Sequence, residues 1–114
     1  MALLLTLSCA TANAGKVVVV DAAATCEARS CHFEVTLRHD DSGWDHYADQ
    51  WRVLDTRGNV LGKRELLHPH VDEQPFTRSL SNVSIPVDVS TVVIEGRDTV
   101  HGVSDHTLTL ELDL

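Results

Sequence analysis

Apolar and polar residues alternate without interruption in the stretch HFEVTLRH, residues 32–39. Phe33, Val35 and Leu37 share one side of an extended chain, and the polar residues between them share the other. A period of two is typical of a β-strand with one face buried and one face in water. Residues 106–114, HTLTLELDL, repeat the pattern with a leucine at every second position. These two stretches therefore predict strands, and nowhere do apolar residues recur at helical spacing over three turns.

Five further segments show weaker strand patterns, and turn residues separate them. Residues 56–59, TRGN, suit a hairpin turn, and Pro86 can end a strand. Together the segments predict seven strands, at residues 17–22, 32–39, 50–55, 60–67, 76–85, 91–98 and 106–114. Seven short strands with regular turn signals predict an all-β, antiparallel sandwich of the immunoglobulin or fibronectin type III kind, with Trp51 in its core.

Length and charge restrict the class of protein. A chain of 114 residues is sufficient for one domain, and its formal net charge is −8. Nucleic acid and anionic lipid are bound by basic surfaces, so the acidic balance argues against both as partners. The sequence also shows no stretch that predicts a membrane span.

The amino terminus resembles a leader for export. Residues 2–14 carry no charge, and the triplet ANA at 12–14 precedes Gly15 as a signal-peptidase site would. We therefore predict a signal peptide at 1–14, a β-sandwich domain at 15–114, and a periplasmic or secreted protein. Cys9 offers an alternative, a lipid-modified cysteine, although the residues before it fit a lipid-attachment signal poorly.

Two cysteines, Cys26 and Cys31, remain after such a cleavage. Four residues separate them, in a segment that we interpret as a short loop. An exported protein meets an oxidising environment, so the pair predicts a structural disulfide worth about 2 kcal/mol.

Histidine is the clearest chemical signal, with seven residues in the chain. In an antiparallel sandwich the loops after the second, fourth and sixth strands share one end. Those loops and the adjoining strand ends contain six of the seven: His39, His46, His68, His70, His101 and His106. Only His32 falls at the opposite end. The threading therefore predicts one end rich in imidazole and carboxylate, which we call the histidine pole.

Imidazole is the commonest side-chain ligand for Zn(II) and Cu(II), and a site needs three or four donors on a rigid frame. The HPH motif at 68–70 places two rings on one side of an extended chain and stiffens it with Pro69. The predicted donors are His68, His70 and His101, with His39 or His46 as the fourth. Carboxylates that can complete the site or orient the rings are Asp45, Glu73 and Asp98.

Other readings of the same residues stay open. Loop histidines can be solvated or structural, and Trp44 in an exposed turn would suit a contact with another envelope protein. Asp40, Asp41 and Asp45 are typical of an acidic, solvated turn whose carboxylates cap backbone N–H groups. The chain has no Gly-rich phosphate loop, nucleophile elbow or HExxH motif, so we expect a binding protein and not an enzyme.

Two blocks carry a resemblance. These are LRHDDSGWDHYADQW at 37–51, which contains WDHYAD, and LLHPHVDEQPFTRSL at 66–80, which contains HPHVDEQPFTR. They resemble a family of small, exported, uncharacterised bacterial proteins. The resemblance implies export and a compact domain, and it implies no particular activity.

Overall fold

The computed structural model describes residues 15–114, which form eight β-strands in two antiparallel sheets and no helix. The strands are β1 (Val18–Glu27), β2 (Ser30–Arg38), β3 (Ala48–Leu54), β4 (Val60–Glu65), β5 (Phe76–Ser84), β6 (Thr91–Asp98), β7 (Gly102–Val103) and β8 (Leu108–Glu111). One sheet has the order β1-β2-β5, and the other has the order β4-β3-β6-β7 with β8 also paired to β6. The predicted all-β antiparallel sandwich is confirmed, with eight strands instead of seven.

Alternation along the central strands builds the core between the sheets. Phe33, Val35 and Leu37 of β2 are fully buried, as the period of two predicts. Trp51 in β3 and Ile94 in β6 are equally buried and face them from the second sheet. Removing so much apolar surface from water is the main force that holds the two layers together.

The first strand is longer than the sequence predicts, because β1 continues through Glu27. Its outer half holds small and polar residues at the edge of the sheet, where the apolar signal is weak. Ala28 and Arg29 both have positive φ angles and form the tight turn into β2. Cys26 and Cys31 are therefore cross-strand partners in a hairpin, and not residues of a loop.

The predicted disulfide between Cys26 and Cys31 is confirmed, with Cα atoms 4.1 Å apart. It fastens the hairpin at the end of the sandwich opposite the histidine pole. The Arg29 side chain donates to the backbone carbonyls of Ile85 and Pro86, which joins the hairpin to the segment that follows β5.

The last part of the chain differs in detail from its prediction. A two-residue strand, β7, pairs with the end of β6 through Arg97 and Val103. The final strand covers only 108–111 of the predicted 106–114, and Leu114 is exposed. The predicted signal peptide, residues 1–14, lies outside the described residues. Within the described part, nothing has the length and apolar character of a membrane-crossing helix.

Candidate metal centre

Three strand boundaries meet at the histidine pole. His39 directly follows β2, Ala48 begins β3, and Asp98 ends β6. Thr99 extends the junction, since its backbone N–H donates to the carbonyl of Tyr47 just before β3. The loops after β2 and β6 are thus fastened to each other, and their side chains meet above the core.

Asp98 is the centre of one group of histidines. Its Oδ1 lies 3.0 Å from His46 Nε2 and 3.2 Å from His101 Nδ1, and its Oδ2 lies 3.9 Å from His39 Nε2. The rings stay close to one another, with centroids 4.8 Å apart for His39 and His46 and 5.0 Å apart for His46 and His101. We call these four residues the Asp98 group.

Asp98 is held in its charged form although its side chain is 0% exposed. Burial alone would raise the pKa of this carboxyl. Hydrogen bonds from the backbone N–H groups of His101 and Val100, at 2.7 and 2.8 Å, outweigh burial and lower the pKa of Asp98 below its ordinary value. A negative charge is therefore fixed beneath the histidines.

Asp41 orients His39 from the other side. Its Oδ1 lies 2.5 Å from His39 Nδ1 and accepts from the Ala48 backbone N–H at 3.0 Å, while its Oδ2 accepts from the His70 backbone N–H at 2.7 Å. A hydrogen on Nδ1 would leave the Nε2 lone pair of a neutral His39 ring on the side away from Asp41, where Nε2 lies 3.9 Å from Asp98 Oδ2. A metal-binding histidine commonly has such a supporting carboxylate on its other ring nitrogen.

The space between these residues contains more acceptors than donors. The Gly15 carbonyl oxygen lies 3.0 Å from His39 Nε2 and 3.2 Å from His46 Nε2. If Nδ1 of neutral His39 donates to Asp41, its Nε2 and the Gly15 oxygen are both acceptors and cannot bond to each other. Asp98 Oδ2 is buried and has no hydrogen-bond partner among residues 15–114. Such a centre attracts positive charge, either as a proton on an imidazole or as a metal ion.

The donor atoms are close enough to converge on one ion. One ligand atom from each of His39, His46 and Asp98 can be chosen so that all lie within 4.8 Å of one another. Zinc–ligand bonds of 2.0–2.2 Å place tetrahedral ligands about 3.3 Å apart, so the side chains would have to move inward by about 1 Å. The Gly15 carbonyl oxygen lies near both rings and could be a fourth ligand atom for the metal. The described part of the chain can thus provide two nitrogens and two oxygens.

His68 and His70 form a second group, away from Asp98. Their ring centroids are 4.6 Å apart, but His68 is exposed while His70 is buried and stacks on Phe76 at 4.0 Å. Arg78 Nη2 donates to His70 Nε2 at 2.9 Å. Burial of the ring, together with the positive charge of Arg78, lowers the pKa of His70. His70 is therefore a neutral acceptor beside a cation, whereas the rings of the Asp98 group lie beside a carboxylate.

The other predicted site residues lie outside both groups. Asp45 is exposed, and only its backbone carbonyl reaches the Asp98 side, where it accepts from Thr99 Oγ1 at 3.4 Å. Glu73 pairs with Arg78 at 2.9 Å. Trp44 is 67% exposed and packs edge-on against Tyr47.

Sequence reasoning missed the roles of Asp41 and Gly15. Asp41 does accept from backbone N–H groups, as an acidic turn predicts, but its side chain is 0% exposed and not solvated. Its position two residues after His39 was an available signal, because i and i+2 share a face in extended chain. Nothing in the sequence indicates that Gly15 reaches the site. A Cβ at Gly15 would lie 2.3 Å from His101 Cε1, so the close approach requires glycine.

Comparison with known proteins gives one clear relative. A protein from Halomicrobium mukohataei, described as a putative lipoprotein, is 42% identical over 85 residues. The aligned part is 75% of this chain and 41% of that relative, so the chain spans less than half of the relative's length. No family model matches the chain, and no solved structure matches it. The relative's description gives no activity. The family resemblance based on the two sequence blocks and the immunoglobulin-like character of the sandwich both stay predictions.

Proposed function

We propose that this protein binds a divalent transition metal, Cu(II) or Zn(II), through His39, His46 and Asp98. The observation that supports the proposal best is the excess of acceptors around the Gly15 carbonyl, next to a buried carboxylate oxygen that has no partner among the described residues. A divalent ion would satisfy these atoms at once. Two imidazoles and two oxygens suit Zn(II) or Cu(II), whereas Cu(I) prefers sulfur donors.

The charges around the centre favour the same ligand. Asp41 and Asp98 both have side chains of 0% exposure, and the ion pairs described for them involve histidines only. Buried carboxylates are costly unless a cation compensates them. His46 is 23% exposed and gives the site an opening to solvent. The net charge of −8 would assist the approach of a cation.

We propose capture, delivery or sensing of the ion and no catalysis. Catalytic zinc keeps an open coordination position for substrate. Here the side chains of His39 and Asp98 are completely buried, and the Gly15 carbonyl would supply a fourth ligand atom beside His39, His46 and Asp98.

Calorimetric titration of the metal-free protein with Zn(II) and with Cu(II) tests this function. We expect a 1:1 complex with Kd below about 10 µM for at least one of the two ions. His46→Ala should weaken binding, and His32→Ala at the opposite end is the matched control. Absence of binding tighter than about 10 µM for both ions would refute the proposal.

We further propose that the protein is exported. The disulfide suits an oxidising compartment, and the description of the relative as a putative lipoprotein suits the cell envelope. The intact mass of the protein isolated from its native host separates the two predicted routes. Cleavage before Gly15 gives the mass of residues 15–114, whereas lipidation gives a chain that begins at an acylated Cys9. An unprocessed chain would contradict export by either route.

A second candidate function is a protein-contact module at the same pole. Trp44 favours it, because an indole that is 67% exposed is an unusual feature on a chain with few aromatic residues. This function predicts capture of an envelope protein that is unchanged by a chelator and lost in Trp44→Ala. Capture that a chelator abolishes would instead assign the surface to the metal-loaded state.

A further inference from the structure

A small cavity of about 90 Å³ opens beside the second histidine group. Its lining consists of Arg64, Leu66, Leu67, His68, His70 and Arg78. It is separate from the Asp98 group and shares no residue with it. The cavity contains two guanidinium groups and no carboxylate in its lining, which is an unusual composition for an acidic protein.

Arg64 has unused hydrogen-bonding capacity at this cavity. Its Nε is buried and has no partner among residues 15–114, and its Nη1 donates to the backbone carbonyl of Glu65 at 2.7 Å. The described ion pairs of lysine and arginine do not include Arg64. Burying this N–H without an acceptor is costly, and an anion in the cavity would accept from the other N–H groups of the guanidinium.

Arg78 is held in place on the other side of the cavity. Its Nη2 donates to His70 Nε2 and to Glu73 Oε1, both at 2.9 Å, and its Nη1 donates to the Thr77 carbonyl at 2.7 Å. Glu73 neutralises part of this charge, so Arg64 is the main anion-binding group. His68 Nδ1 lies 3.0 Å from the Pro69 carbonyl, which fixes its ring at the rim.

The apolar part of the lining restricts the class of anion. Leu66 and Leu67 lie beside the guanidinium groups, and Leu67 is 76% exposed. Val71, on the same loop, is also exposed. An inorganic anion would leave this apolar surface in water, whereas an anion with a short hydrocarbon chain would cover it. We propose that the cavity binds the carboxylate of a small organic acid, with its carbon chain on Leu67.

Titration of the ¹⁵N-labelled protein with sodium butyrate in metal-free buffer, followed by NMR, tests the site. We expect saturable shifts of the backbone amide signals of Leu66, Leu67, His68 and His70, with Kd in about the millimolar range. Arg64→Gln should weaken binding about tenfold or more, because the charged hydrogen bonds are lost. Arg57→Gln, in the β3–β4 turn, is the matched control and should leave binding unchanged.

Three results would overturn this assignment. They are an absence of saturable shifts with butyrate, unchanged affinity in Arg64→Gln, and inorganic phosphate binding as tightly as butyrate. If Arg64→Gln fails to fold, Arg64→Lys keeps the charge but loses the planar fork, and it should also bind butyrate more weakly. Before the titration, the chemical-shift dispersion in the spectrum of each variant shows whether that variant is folded. Metal binding is measured separately, so the failure of one proposal does not imply the failure of the other.

Discussion

Two groups of histidines lie at the same pole of the sandwich and face opposite electrostatic surroundings. His39 and His46 surround a buried carboxylate, while His68 and His70 lie beside two guanidinium groups. The rings are chemically identical, so the neighbours determine the ligand. We propose that excess acceptors attract a cation in the first group, and that excess donors attract an anion in the second.

Asp41 connects the two groups physically. One of its oxygens accepts from the His39 ring, and the other accepts from the His70 backbone. The connection positions both loops, and its charge acts more closely on His39, whose Nδ1 is 2.5 Å from Asp41, than on His70, whose nearest ring nitrogen is 4.0 Å away. The comparison therefore assigns different roles to residues that the sequence placed in one set of metal ligands.

The largest effect is expected from Asp98→Asn. Asparagine keeps an oxygen for the backbone N–H groups of Val100 and His101, but it removes the charge and places an amide where Oδ2 has no partner. We expect metal affinity to fall about a hundredfold or more, because loss of a ligand costs at least as much as loss of its supporting group. Calorimetry measures the affinity, and thermal unfolding of the metal-free variant should show a lower Tm than that of the wild type, because the lowered pKa of Asp98 means that its charged form stabilises the fold. Full retention of metal affinity would show that Asp98 is not a metal ligand, and the contrast between the two histidine groups would then be wrong.

Asp41→Asn should affect metal binding and folding together. The variant loses a charged acceptor for His39 Nδ1 and turns an amide N–H₂ toward another donor. We expect metal affinity to fall between about 10- and 100-fold. The free energy of unfolding should decrease by about 3 kcal/mol, since a buried donor is left without a partner. Urea denaturation of the metal-free protein measures the second effect. A stable variant with unchanged affinity would show that Asp41 does not orient His39.

The pH dependence of stability should distinguish the second group. Burial and Arg78 hold the pKa of His70 below its ordinary value of 6.5 in the folded protein. The unfolded chain takes up the proton first as pH falls through 6.5, so the stabilisation present above that pH is lost between 6.5 and the lower, folded pKa. Urea denaturation of the metal-free protein at pH 7.5 and 5.5 should show this loss in the wild type. It should be smaller in His70→Gln, which has no proton to gain, and equal losses in both proteins would contradict the assignment.

The fold was predictable where one face of a strand is fully buried. β2 alternates strictly in sequence, and the weaker pattern at 91–98 coincides with β6, whose residues alternate strictly in burial. β1 was predicted too short, because the small and polar residues of its second half lie at a sheet edge. They are not deeply buried there, so the sequence shows no strong apolar pattern. The placement of several histidines at one end of the sandwich was predicted from the antiparallel connectivity of the strands alone. Which rings meet within that pole depends on side-chain contacts that local sequence does not encode.

The HPH motif shows this limit most clearly. Extended geometry correctly placed its two rings near each other, but it could not show that His70 stacks on Phe76 or bonds to Arg78. Those contacts come from β5, six and eight residues further along the chain. In the same way, Gly15 reaches His39 only because the start of the described chain runs across the end of the sandwich.

The smallest effect is expected from His68→Ala. His68 is exposed and bonds only within its own loop, so metal affinity should change by less than about twofold. His46→Ala, measured in the same calorimetric series, removes a ring nitrogen 3.0 Å from Asp98 Oδ1 and should cause a clear loss. The pair separates the sequence-predicted donors from the donors that the geometry brings together. If His68→Ala loses as much affinity as His46→Ala, the metal is held by the HPH motif, and the contrast between an acceptor-rich and a donor-rich group is wrong.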